Sequence, residues 1–130
     1  MTGSTVNPQQ AAASLKIDTS AGLGARAFGD IAPRFAQLTD ELLFGDIWQR
    51  TALTPRERSL VTVAALIALT RVAQQPFHMS KALENGLTDQ ELAEVITHLA
   101  FYCGWPCAAS ALGSLQEVIA SSHCATKRGA

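Results

Sequence analysis

A chain of 130 residues that is 48% hydrophobic and only 16% charged carries enough apolar material for one core and is not a disordered polymer. Ten Lys and Arg against eleven Asp and Glu leave a formal net charge of −1 with no basic stripe, so a nucleic-acid partner is not expected. No apolar run reaches the ~18 residues of a bilayer span, and the first twenty residues lack the basic and apolar regions of a secretory signal, so the expected setting is the cytoplasm, away from membranes.

In chain order, residues 1–19 read as a loose tail, 20–122 as a single helical domain and 123–130 as a polar C-terminal tail holding His123. Weak helices are expected over Ala21 to Phe28 and Ile31 to about Phe44, the first diluted by Gly22, Gly24 and Gly29. Thr54 is a good N-cap, Pro55 suits the first helical position and Glu57 completes a capping box, which starts a helix reaching about Arg71. From Leu60 to Leu69 that helix is apolar except for Thr62. A helix apolar all round must be covered all round, and short helices in one small domain rarely enclose one completely, so a homo-oligomer is expected. Pro76 can open a short helix bearing His78, closed by Asn85-Gly86 through a left-handed residue. Thr88 and Glu91 repeat the capping box before Leu92, Val95, Ile96 and Leu99, which gives a helix from about Asp89 to Tyr102. After Gly104-Trp105-Pro106, the residues Ala108, Ala111, Leu112, Leu115, Val118 and Ile119 keep helical spacing. The fold class is all-α.

The groups able to carry chemistry are few, and each has a structural alternative. Glu57 is either a capping-box carboxylate or an acid/base group over the small residues Ala64 and Ala68. Arg56 and Arg58 could anchor a carboxylate through a bidentate guanidinium. His78 is either a core or interface histidine or a proton carrier. His98 shares a helix edge with Glu91, Glu94 and Tyr102, which suits a surface or subunit contact. Metal spacing is absent: there is no H-E-x-x-H or C-x-x-C, and the histidines are scattered. Neither a phosphate loop nor a dinucleotide fingerprint occurs, so no metal and no cofactor is expected. Three cysteines, Cys103, Cys107 and Cys124, do not suggest a disulfide framework, and Cys103 and Cys107 read as small buried hydrophobes.

Three separated segments carry a resemblance: Leu53-Thr-Pro-Arg-Glu-Arg-Ser-Leu-Val-Thr-Val-Ala-Ala-Leu66, His78 with Gly86-Leu-Thr eight residues later, and His98-Leu-Ala-Phe-Tyr-Cys-Gly-Trp-Pro106. Together with Leu42-Leu-Phe-Gly-Asp-Ile-Trp48 they closely resemble the carboxymuconolactone decarboxylase family, over roughly Leu38 to Val118. The resemblance implies a compact helical subunit of the alkylhydroperoxidase D-like type in a ring-like trimer or hexamer. Relatives with peroxidase activity place a C-x-x-C seven and four residues before the family histidine, and those positions here are Arg71 and Gln74. A thiolate-and-resolving-thiol mechanism lacks its pair, and Cys103 or Cys107 would need another geometry to replace it. The decarboxylase branch implies a small carboxylate or lactone substrate, a cofactor-independent carboxy-lyase of aromatic catabolism, His78 as proton donor with Glu57 orienting it or relaying the proton, Arg56 or Arg58 anchoring a carboxylate, and His98 and Tyr102 completing the pocket from a neighbouring helix or subunit. A thiol peroxidase (peroxiredoxin-like) and a ligand-binding oligomer without turnover stay open as alternatives.

Overall fold

Side-chain caps and turn residues decide where the helices of this chain begin and end. A computed structural model describes residues 22–128, so the tail expected over 1–19 lies outside the described residues. Helices and turns make up all the secondary structure among them, as an all-α fold requires. The chain divides after Arg50 into two compact units.

The first unit holds α1 (Leu23–Phe28), α2 (Pro33–Leu38), a π-helical segment (Thr39–Phe44) and a 3₁₀ turn (Ile47–Gln49). The helix expected from Ile31 to about Phe44 is thus an α-helix from Pro33 that widens into π at Thr39. Gly22, at the N-cap of α1, has no side chain to cap with. Asp40 does this instead: Gly24 N donates to its Oδ1 at 2.7 Å and Ala25 N to its Oδ2 at 3.0 Å. A carboxylate at a helix N-terminus satisfies orphan donors and suits the helix dipole. A Cβ on Gly24 would come within 2.5 Å of the Ala36 carbonyl oxygen. The glycine that weakens α1 as a helix is therefore what lets α2 and Asp40 approach it.

The second unit contains α3 (Pro55–Ala68), a 3₁₀ turn (Val72–Gln74), α4 (Gln75–Glu84), α5 (Asp89–Cys103) and α6 (Trp105–Arg128). Its core joins Val63 and Ile67 of α3, Met79 and Ala82 of α4, Leu92 and Ile96 of α5, and Ala111 and Leu115 of α6. Burying the Val, Ile, Leu and Met side chains among these contributes roughly 1.5–3 kcal/mol each, so these four helices carry the stability of the unit.

Two helix ends, those of α3 and α6, differ from the sequence reading, and that of α4 agrees with it. α3 stops at Ala68 rather than near Arg71, in a Schellman-type turn: Arg71 N donates to Leu66 O and Thr70 N to Ile67 O, with Thr70 at φ 55°. A glycine usually fills that left-handed position, and a β-branched residue there is strained. The same turn closes α4 at Gly86, φ 104°, with Leu87 N donating to Ala82 O, as Asn85-Gly86 suggested. α6 continues through His123 to Arg128, where the polar composition suggested a tail. Serines and threonines there return hydroxyls to carbonyls one turn back, as Ser121 does to Glu117 and Ser122 to Val118, so the polar run stays helical.

Candidate active site

Two capping boxes frame the site region. Thr54 Oγ1 accepts from Glu57 N at 3.1 Å while Thr54 N donates to Glu57 Oε2 at 2.8 Å, and Thr88 and Glu91 make the same pair of bonds at 3.0 and 3.2 Å. Arg56 forms an ion pair with the other oxygen of Glu91. One carboxylate thereby caps α5 and holds the start of α3 beside it. The stem of Arg56 passes 4.0 Å from where a side chain on Gly86 would begin. Arg56 and Glu57 are thus engaged in holding helix starts.

The pairing of α3 with α4 sets how far those groups lie from His78. Asn85 Nδ2 donates to Ser59 Oγ at 2.9 Å, and Gln75 Nε2 to Leu66 O at 3.4 Å, so the two helices run antiparallel. His78 sits one turn into α4, against the second half of α3. At 1.5 Å per residue, Glu57 is roughly 10 Å away along the axis, turned back toward Thr54. Arg58, half-buried with its Nε shielded from solvent, stands at the Asn85 end of this helix pair.

His78 is the most perturbed group of the second unit. It is half-buried, its Nδ1 is shielded from solvent, and the Phe77 ring meets its edge at 4.9 Å and 89°. Burial, and then the positive charge of Lys81, push its pKa below the ordinary 6.5. The imidazole of the free subunit is therefore neutral at pH 7 and takes up a proton readily only when negative charge arrives. Lys81 escaped the sequence reading, although its i+3 spacing from His78 was a usable signal.

The remaining candidates stand apart on α5 and α6. His98 and Tyr102 stack at 4.9 Å with planes 31° apart, and both are exposed. Tyr102 belongs to an aromatic corner with Phe101 and Trp105, exposed to 77%, 80% and 72%, held where Gly104 at φ 97° turns α5 into α6. Cys103 and Cys107 are half-buried free thiols and Cys124 is an exposed one. Among the described residues no group of three or more His, Cys, Asp or Glu side chains is placed to hold a metal ion. No helix among them is long and apolar enough to cross a membrane.

Comparison with known proteins decides the lineage. The model of the carboxymuconolactone decarboxylase family matches residues 33–117. The chain belongs to the carboxymuconolactone decarboxylase family. Among its relatives, 4-carboxymuconolactone decarboxylase of Acinetobacter baylyi is 35% identical over 89 residues, 68% of this chain and 66% of that protein. Nitrosuccinic acid decarboxylase npaB of Metarhizium robertsii is 34% identical over 83 residues, 64% of this chain and 58% of that protein. An uncharacterized 15.0 kDa protein of Paracoccus denitrificans is 30% identical over 97 residues, 73% of this chain and 72% of that protein. The matches to the two decarboxylases span less than two thirds of their lengths. As a carboxymuconolactone decarboxylase family member, the chain lacks cysteines at 71 and 74, ahead of His78.

Proposed function

We propose that this chain is a carboxy-lyase that removes CO2 from a small carboxylated acid of the γ-carboxymuconolactone type, with His78 returning a proton to the substrate. The observation that carries this reading is a half-buried, neutral imidazole on α4 in a chain whose relatives include two proteins named as decarboxylases.

The chemistry asks little of the protein. In a γ-carboxymuconolactone the electrons left by CO2 pass through the butenolide into the lactone carbonyl; in nitrosuccinic acid they pass into the nitro group. Each substrate brings its own electron sink, so the protein needs to bind carboxylates, stabilise the developing anion and supply one proton. One C–C bond breaks, CO2 departs, and the carbanion equivalent takes the proton. A substrate with two carboxylates brings negative charge to His78 and raises its pKa, so binding itself charges the donor. We assign Arg58 to anchoring a carboxylate, and Glu57 and Arg56 to fixing the helix starts. His98 and Tyr102 complete the pocket from a neighbouring copy in a trimer or hexamer.

Chelator-treated protein incubated with 4-carboxymuconolactone, and separately with nitrosuccinate, is expected to release CO2 with at least one of them. Absence of turnover with both removes the decarboxylase reading.

A further inference from the structure

We propose that Lys81 is a second carboxylate anchor that makes the His78 site selective for dianions, with Glu84 occupying it while the site is empty. The proposal deepens the decarboxylase reading by naming the substrate class: a succinate-like unit with one carboxylate that leaves and one that stays.

His78, Lys81 and Glu84 follow one another at three-residue intervals along α4, where such neighbours lie on adjoining turns. Lys81 Nζ lies 3.6 Å from Glu84 Oε2, with the two side chains 33% and 67% exposed. An exposed pair at that distance is weak, so an arriving carboxylate displaces Glu84 easily. The other cations of the second unit suit the task less well. Arg56 is paired with Glu91, Lys127 and Arg128 stand in the last turn of α6, and Arg71 sits in the turn between α3 and α4. Arg58 and Lys81 lie toward the same end of the antiparallel helix pair, Arg58 level with Asn85 and Lys81 one turn before it.

One helical turn, about 5 Å, offsets the two anchors along the pair, comparable to the span of a succinate, in which two methylene carbons separate the carboxylates. 4-Carboxymuconolactone and nitrosuccinic acid both contain this unit: one carbon holds the departing carboxylate and the electron sink, and its CH2 neighbour holds the second carboxylate. The charge of Lys81 also lowers the proton affinity of His78, so neutralising it with a bound carboxylate aids protonation of the imidazole.

The test is an NMR titration of the full chain with succinate and with its monomethyl ester, following the His78 ring signals, assigned by their loss in His78→Gln. Succinate is expected to bind at least about tenfold more tightly than the half-ester and to raise the His78 pKa. Lys81→Met is expected to reduce succinate to half-ester affinity, and Glu84→Gln to tighten it. Equal binding of the two ligands, no binding of either, or a Lys81→Met protein that binds succinate as the wild type does overturns the proposal. Intact selectivity without CO2 release from 4-carboxymuconolactone or nitrosuccinate would remove the decarboxylase reading and leave the anchor standing.

Discussion

Residue by residue, the candidate site separates groups with local jobs from groups that cost stability. Thr54 and Thr88 satisfy orphan donors, and Thr54→Ala is expected to cost about 1 kcal/mol in urea unfolding. Arg56 pairs with a partly exposed Glu91, an arrangement worth at most about 1 kcal/mol. Arg56→Met is therefore expected to leave the KM for 4-carboxymuconolactone within about threefold of wild type; a tenfold rise would show that it binds substrate. Thr70 at φ 55° runs the other way: Thr70→Gly relieves a left-handed β-branched residue and is expected to raise stability by up to about 1 kcal/mol. His78 links stability to pH. Its folded pKa lies below the unfolded 6.5, so the unfolded chain binds more protons as the pH falls. Stability from this group is complete above pH 6.5 and is lost as acidification proceeds through 6.5 toward the folded value. Unfolding midpoints between pH 7 and 5 are expected to fall further for the wild type than for His78→Gln. Of these residues, the capping threonines and His78 were legible in the sequence because their signals are local. Lys81 was overlooked beside it, and the strain at Thr70 was hidden because Thr is an ordinary residue until its backbone angle is known.

At the scale of the elements, helix starts were readable and helix partners were not. The starts of α3 and α5 follow from short-range side-chain bonds. The end of α3 depends on a backbone turn without glycine, and the polar end of α6 depends on hydroxyls that bond one turn back. Contacts distant in sequence left no signature: Asp40 caps α1 from fifteen and sixteen residues away, and Ser114 Oγ donates to Gln75 Oε1 at 2.8 Å across 39 positions. The second of these bonds is buried, with Gln75 at 1% and Ser114 at 3% exposure, and it ties α6 to the first residue of the helix that carries His78. Ser114→Ala leaves a buried acceptor unsatisfied and is expected to cost about 1–3 kcal/mol by urea unfolding, whereas Gln75→Leu with Ser114→Val recovers most of that loss. Loss of the Asp40 cap in Asp40→Ala is expected to speed hydrogen exchange at Gly24 and Ala25, because a six-residue helix has little stability of its own.

The whole molecule bears on why so apolar a chain needs so little charge. α3 buries Val63 and Ile67 but leaves Val61 at 60% exposure, Leu69 just past its end is 63% exposed, and the α5–α6 corner shows three aromatic rings to solvent. Apolar surface on this scale on a chain of 13.8 kDa calls for a covering surface, and the proposed oligomer assigns that role to another copy of the chain. Sedimentation is expected to give a multiple of 13.8 kDa that Trp105→Glu reduces. The family was legible from separated motifs, while the place of Glu57 relative to His78 within one chain needed the register of α3 against α4. The claim that His78 carries the proton is tested most directly by the pH dependence of kcat/KM for CO2 release, compared between wild type and His78→Gln. As an acid whose pKa in the free protein is lowered, His78 should make the wild-type value fall as pH rises through a pKa below 6.5, and His78→Gln should be at least about a hundredfold slower and lack that limb. A His78→Gln protein with the same limb, or with activity within about threefold of wild type, would contradict the account.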